Sequence, residues 1–135
     1  MKKYLVDTNI WIHFFKGKFG VREKMLNVNP KQLCVSEISI AELTYGAYHS
    51  SNRAKHFQEM RLVRDNFSLY TISECIDDYA QLRDKLSRQG QTMENFDLLI
   101  AATAIHFQLI LVTENVKHFQ YIPELKIENW ANREK

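Results

Sequence analysis

Three acidic residues far apart in the chain, Asp7, Glu42 and Asp97, give the strongest indication of chemistry in this sequence. Asp7 directly follows the apolar run Tyr4–Val6, which is typical of a short buried strand. Glu42 lies one turn into a helix predicted after a second strand, and Asp97 opens a markedly apolar helical segment. Carboxylates that converge without basic partners repel one another. A hard dication such as Mg²⁺ or Mn²⁺ relieves that repulsion by taking oxygen ligands.

Each of these carboxylates also has a purely structural explanation. Asp7 fits the N-cap of a helix that begins near Asn9, because aspartate is a favoured capping residue. Glu42 can complete a capping box with Ser39. Asp97 lies where the positive end of a helix dipole favours a negative charge. Only their convergence in space would make the three acids a metal site.

Strand-like segments alternate with helical ones along the chain, which favours an α/β fold with a central parallel sheet of four to five strands and helices on both faces. Right-handed crossovers bring the carboxyl ends of parallel strands to one edge, so Asp7, Glu42 and the N-terminus of the Asp97 helix are expected there. The predicted strands are Tyr4–Val6, Leu33–Ser36, Phe67–Ile72, Leu109–Thr113 and Leu125–Glu128. The predicted helices cover 9–15, 21–27, 38–48, 53–66, 73–89 and 96–107.

Size and composition are ordinary for one folded domain, so the 135 residues are predicted to form a single domain spanning 1–135. No apolar run approaches the ~20 residues of a membrane span, and no signal-peptide pattern follows the start. We therefore predict a cytoplasmic protein without a membrane partner. Cys34 and Cys75 lie in unrelated segments and are expected to be buried thiols. The net charge of +2 is too small to indicate nucleic-acid binding by itself.

Other catalytic signatures are missing from the sequence. The phosphate-binding loops GxGxxG and GxxxxGK[ST], the HExxH zinc motif and the G-x-S-x-G nucleophile elbow do not occur. Hydrolysis by a metal-activated water needs no protein nucleophile and is compatible with what is present. The five histidines have no metal-ligand spacing, and core or surface roles are predicted for His13, His49, His56, His106 and His118.

Four segments of the chain resemble the PIN-domain ribonucleases and, within them, the VapC-type toxins of bacterial toxin–antitoxin pairs. The likeness extends from about Lys3 to Trp130. It implies a five-stranded parallel sheet in the order 3-2-1-4-5 and a Mg²⁺- or Mn²⁺-dependent endoribonuclease activity. The four segments, in the order of the family, are Leu5–Asn9, Ile40–Gly46, Phe96–Ala104 and Leu111–Asn115.

The resemblance also implies roles for individual residues. Thr8 and Thr113 match positions that orient the attacking water or hold a carboxylate. Asn115 stands where many members carry a fourth acidic residue, and its amide brings no charge, so weaker metal binding is expected. The neighbouring Glu114 is the alternative source of that fourth acidic group, although its position predicts that it points elsewhere. The residues that match the acidic metal site of the family are Asp7, Glu42 and Asp97.

The same resemblance implies three partners: a transfer or ribosomal RNA substrate, a second copy of the chain in a homodimer, and a small antitoxin of VapB type. The C-terminal segment of the antitoxin would lie across the site. Aromatic residues predicted to line its groove are Trp11, Phe14, Phe15 and Tyr45. The basic residues preferred for RNA phosphate contacts, because they follow the edge that carries Asp7, are Lys16, Lys18, Arg22 and Lys24.

Two alternatives stay open on the sequence alone. In the first, the chain is a catalytically weak or inactive PIN-like binding domain in which Asn115 marks a decayed metal site. In the second, it is a phospho-receiver domain of similar length. A receiver needs an acceptor aspartate after its third strand, and the segment Leu69–Ile72 offers none.

Overall fold

Five short parallel strands form the centre of the computed structural model, which describes residues 1–135. They are β1 (Tyr4–Val6), β2 (Leu33–Ser36), β3 (Ser68–Tyr70), β4 (Ile110–Val112) and β5 (Ile127–Glu128). Their order in the sheet is β3-β2-β1-β4-β5, and every neighbouring pair is parallel. This confirms the predicted α/β fold and strand order. It differs from the 2-1-3-4-5 order typical of receiver-like folds.

Six α-helices cover the sheet, and their bounds lie within one residue of the prediction for all but one of them. They are α1 (Thr8–Lys16), α2 (Val21–Leu26), α3 (Glu37–His49), α4 (Arg53–Asn66), α5 (Ile76–Arg88) and α6 (Asn95–His106). The exception is the helix predicted over 73–89, which begins with a separate 3₁₀ turn at Ser73–Cys75. The third and fifth strands are shorter than predicted because only Ser68–Tyr70 and Ile127–Glu128 pair with a neighbour.

The hydrophobic core is divided between the two faces of the sheet. Successive strand residues point to opposite faces, so Leu5 packs in one core cluster and Val6 in the other. Helices α5 and α6 cover the first face, while α1 and α2 cover the second. Six residues of the 12-residue α6 are buried, as its apolar sequence predicts. Trp11 is fully buried in the second cluster, so its assignment to an antitoxin groove was wrong.

Helix α1 leads away from the edge that holds Asp7, so it separates this edge from the basic residues that were predicted to contact RNA phosphates. It starts at that edge and its nine residues span roughly 13 Å, so Lys16 lies at the opposite end. Arg22 is engaged elsewhere, because its guanidinium donates to the carbonyl oxygens of Phe14 at 2.8 Å and Phe15 at 3.2 Å. It thereby caps the C-terminus of α1. These contacts weaken the case for this group as the RNA-binding surface.

Two smaller expectations concern the cysteines and membrane insertion. Cys34 and Cys75 are both free thiols in buried positions, as predicted. None of the helices combines the length and the apolar character needed to cross a bilayer.

Candidate active site

Asp7 lies at the carboxyl end of β1 and is almost completely buried, with 4% of its surface exposed. It is also the N-cap of α1, and its backbone has the extended conformation typical of that position. Its Oδ1 accepts a hydrogen bond from the Thr8 backbone N–H, and its Oδ2 accepts one from the Thr113 hydroxyl, each at 2.8 Å. The two hydrogen bonds fix the orientation of a carboxylate that burial alone would destabilise in its charged form.

The three predicted acids influence one another electrostatically. Burial raises the pKa of Asp7 to about 6, against the hydrogen bonds from Thr113 and Thr8, and the charges of Asp97 and Glu42 raise it further. Burial also raises the pKa of Glu42, with a hydrogen bond from Thr8 opposing and the charge of Asp97 adding to the rise. The charge of Asp97 therefore disfavours the ionised forms of both Asp7 and Glu42.

Glu42 is linked to Asp7 through Thr8. The Thr8 hydroxyl donates to Glu42 Oε1 at 2.7 Å and lies 2.8 Å from the Ser39 hydroxyl. Helix α3 is capped by Ser36, whose Oγ accepts from the Ile38 N–H at 3.0 Å. The predicted capping box between Ser39 and Glu42 is therefore wrong, because the helix starts earlier and Ser39 lies buried inside it. The Glu42 carboxylate is consequently free of any helix-capping role.

Asp97 lies in the first turn of α6 and has one ionisable partner, His118. The two atoms His118 Nδ1 and Asp97 Oδ2 are 3.2 Å apart, and the His118 side chain is 57% exposed. No lysine or arginine forms an ion pair with any of the three acids. Sequence reasoning gave His118 only a core or surface role. Its contact depends on the 3₁₀ turn Val116–Phe119 folding back over α6, for which the sequence carries no signal.

Thr113 holds the loop after β4 against the start of α1. Besides donating to Asp7, its buried Oγ1 accepts from the Asn115 backbone N–H at 3.1 Å and from Asn9 Nδ2 at 3.4 Å. Asn9 Oδ1 in turn accepts from the Glu114 N–H at 3.3 Å. Thr113 thus occupies the carboxylate-holding position that the resemblance implies. Asn115 joins this network through its backbone, while its residue is exposed.

Glu114 is bound to groups outside the acidic cluster. Its carboxylate accepts two hydrogen bonds from Arg133, at 2.5 and 2.7 Å, and lies 2.8 Å from His13 Nε2. The Arg133 guanidinium also lies over the Phe19 ring, 4.0 Å from its centroid. Arg133 and, less strongly, His13 hold the pKa of Glu114 below its ordinary value. Glu114 therefore does not supply the acidic group that Asn115 lacks.

The Arg133–Glu114 pair gives a prediction about stability. Because its pKa is lowered in the folded protein, Glu114 stabilises the fold above its ordinary value of 4.5, and that stabilisation is lost as the pH falls. We expect Arg133→Gln to lower the melting temperature by roughly a few degrees at pH 7, and by less at pH 3.5. Differential scanning fluorimetry at both pH values measures this.

The matched control is Arg88→Gln, which removes an arginine from a fully exposed ion pair with Asp84 and should change the melting temperature little. Equal losses at pH 7 and pH 3.5 for Arg133→Gln would show that the residue acts through packing on Phe19 and not through charge.

Asp7, Glu42 and Asp97 have no lysine or arginine partner, but their side chains do not form a ready-made metal site. No three His, Cys, Asp or Glu side chains are placed to ligate one ion as they stand. Asp7 is fixed by two donors, whereas Glu42 and Asp97 each contact a side chain that can rotate, Thr8 or His118. Chemically, this edge favours a cation, and its donors are the hard carboxylate oxygens that Mg²⁺ and Mn²⁺ prefer.

Comparison with known proteins shows the family to which this chain belongs. A profile described as PIN domain matches residues 4–125. Ribonuclease VapC2 of Haemophilus influenzae is 34% identical over 97% of this chain and 100% of its own length. The tRNA(fMet)-specific endonuclease VapC of Shigella flexneri is 30% identical, with 97% and 100% of the two chains covered.

A solved structure agrees with these sequence matches. The DNA-bound VapBC complex of Salmonella typhimurium contains a chain that superposes with a TM-score of 0.88 at 29% identity, covering 97% of this chain and 100% of that one. The PIN-domain match over residues 4–125 includes the strands and helices that carry all three acids. The chain therefore belongs to the PIN-domain family and, within it, to the VapC ribonucleases.

Proposed function

We propose that this protein is a Mg²⁺- or Mn²⁺-dependent endoribonuclease and the toxin of a toxin–antitoxin pair. The observation that carries the proposal is the buried Asp7, whose pKa is raised by burial and by the charges of Asp97 and Glu42, with no lysine or arginine to neutralise the three. Relatives named ribonuclease VapC and tRNA(fMet)-specific endonuclease support RNA as the substrate class.

The side chains at this edge fit a divalent ion. Asp7 would be the fixed ligand, because Thr8 and Thr113 already set the direction of its two oxygens. Glu42 and Asp97 would supply the other carboxylate oxygens. When bound, the ion lowers the pKa of a water molecule and offsets the charge of the phosphodiester. Thr8 keeps Glu42 close to Asp7, and Asn115 leaves the set one negative charge short of a four-acid site.

The test is RNA cleavage by the purified protein across a titration of Mn²⁺, with EDTA as the opposite limit. We expect no cleavage in EDTA and recovery when Mn²⁺ is restored. Metal binding should also raise the melting temperature, since a ligand at one hundred times its dissociation constant stabilises the folded state by about 2.7 kcal/mol. Asp84→Asn, which changes an exposed carboxylate on α5, should retain both effects.

Two outcomes of this titration would contradict the proposal. Undiminished cleavage in EDTA would exclude a metal-dependent reaction. Neither cleavage nor a thermal shift at millimolar Mn²⁺, with RNA present, would favour the alternative of a PIN-like binding domain whose metal site has decayed at Asn115.

The partner that we propose is a small antitoxin of VapB type. The solved relatives include VapBC complexes, in which a VapC chain is found with its VapB protein. A cavity of about 390 Å³ between α1, α3 and α4 can accept a segment of such a partner, and its walls include Phe15, Leu43 and Lys55. Co-expression with the product of a short neighbouring reading frame should restore growth and yield a co-purifying complex.

Three finer assignments complete the proposal. The RNA is a transfer or ribosomal RNA, the chain acts in the cytoplasm, and the free toxin is a homodimer. Mapping of RNA ends after induction identifies the target, and light scattering coupled to size-exclusion chromatography measures the mass. A single 16.0 kDa species at micromolar concentration would exclude the dimer.

A further inference from the structure

An exposed pair of aromatic rings lies on α3 beside the acidic edge. Tyr45 is 69% exposed, and its ring stacks on that of His49, with the centroids 5.7 Å apart and the planes 13° from parallel. Tyr45 follows Glu42 by three positions on the same helix, so the two side chains are neighbours on its surface, with Cβ atoms about 5–6 Å apart. The nearly parallel pair thus begins one helical turn from a proposed metal ligand.

The next tyrosine along α3, Tyr48, contacts another helix, unlike Tyr45. Tyr48 packs edge-on against Phe57 of α4, with centroids 4.8 Å apart, and the Arg53 guanidinium lies 5.7 Å from its ring centroid. Tyr48 is therefore used in the contact between α3 and α4. Tyr45 has His49 as its one aromatic neighbour and is otherwise largely exposed.

We propose that the pair Tyr45–His49 is a stacking platform for an unpaired RNA base next to the scissile phosphate. The inference rests on the proposed function, because it assigns the platform to the substrate of that same site. Flat aromatic side chains bind bases of any sequence through their faces, which is how proteins hold single-stranded nucleic acid without reading it. A base held one turn from Glu42 brings its adjoining phosphate to the acidic edge.

The exposed ring of Tyr45 also predicts which form of RNA should bind. The platform accordingly selects single-stranded RNA over duplex, in which the bases are already stacked on one another and their faces are not accessible.

The experiment measures binding in the Asp7→Asn background, in which cleavage is expected to be slow, with a short single-stranded oligoribonucleotide that carries 2-aminopurine as the probe. We expect the fluorescence of the probe to be quenched on binding. Adding Tyr45→Ala should weaken binding on the order of tenfold and remove the quenching, while Tyr45→Phe should keep both because it retains the ring face. Binding to a blunt RNA duplex should be the same for all three proteins.

The matched control is Tyr121→Ala, which removes a tyrosine that is 45% exposed in the segment before β5 and should leave binding unchanged. Unaltered affinity and quenching in Tyr45→Ala would overturn the platform, even if wild-type protein cleaves RNA with Mn²⁺. The platform would also be overturned if Tyr45→Ala kept its RNA affinity but lost co-purification with the antitoxin, because the surface would then be a protein interface. Failure of the wild-type protein to cleave any RNA is a separate result and contradicts the proposed function.

Discussion

Replacing Asp7 with asparagine is expected to lower the rate of RNA cleavage by on the order of a thousandfold while leaving the fold intact. The amide matches the carboxylate in shape and can still accept from Thr8, so the cap of α1 is retained. What is lost is the buried negative charge that would hold the metal ion. Initial cleavage rates in millimolar Mg²⁺, together with far-UV circular dichroism, measure the two parts of this expectation.

The same substitution should change how stability depends on pH in the metal-free protein. The pKa of Asp7 rises from 3.8 to about 6 in the folded state, so folding disfavours its ionised form. The contribution of Asp7 to stability is therefore greatest below about pH 3.8 and is lost as the pH rises through 6. The difference between these two pKa values corresponds to roughly 3 kcal/mol in the free energy of unfolding, at about 1.4 kcal/mol per pH unit. We expect Asp7→Asn to remove this decline.

Urea unfolding between pH 4 and pH 8, in EDTA, follows that decline directly. Asp84→Asn is the control, because its exposed carboxylate pairs with Arg88 at the surface and should leave the pH dependence of the wild type unchanged. Cleavage at the wild-type rate by Asp7→Asn would contradict the mechanism. If the unfolding free energies of Asp7→Asn and the wild type depended on pH in the same way, Asp7 would not be the group whose ionisation opposes folding.

The elements that position the acids could be predicted because their signals are local. An apolar run ending in aspartate fixes both the end of β1 and the cap of α1 within a few residues. The bounds of α4 follow from the spacing of its apolar side chains, and the burial of α6 follows from its nearly continuous apolar sequence. Parallel strands with right-handed crossovers then leave little choice about which edge receives Asp7 and Glu42.

The contacts that tune the acids could not be predicted, because each depends on side chains that meet only after folding. Thr8 reaches Glu42 across 34 positions, and Arg133 reaches Glu114 across 19. His118 meets Asp97 only because a 3₁₀ turn follows β4. Trp11 illustrates the same limit, since periodicity places it on the apolar face of α1 but does not show that Phe67 covers it.

Thr113→Val is expected to have the second largest effect, because one buried hydroxyl serves three partners. Valine has nearly the same shape, but it cannot donate to Asp7 or accept from Asn9 and the Asn115 N–H. Leaving these polar groups unpaired should lower the free energy of unfolding by roughly 2–4 kcal/mol. Thr113→Ser keeps the hydroxyl and should retain most of the stability, so urea unfolding of the pair separates the hydrogen bonds from the packing of the methyl group.

Thr113→Val should also slow cleavage in a pH-dependent way, which a loss of fold stability alone would not produce. The hydrogen bond from Thr113 lowers the pKa of Asp7, so its loss should raise that pKa further above its value of about 6. At pH 7 a smaller fraction of Asp7 would then be ionised and able to hold the metal ion. We expect Thr113→Val to cleave RNA on the order of ten to one hundred times more slowly at pH 7 and to recover part of that loss at pH 8.5. A rate reduced equally at both pH values would show that Thr113 acts on the fold alone and not on the charge of Asp7.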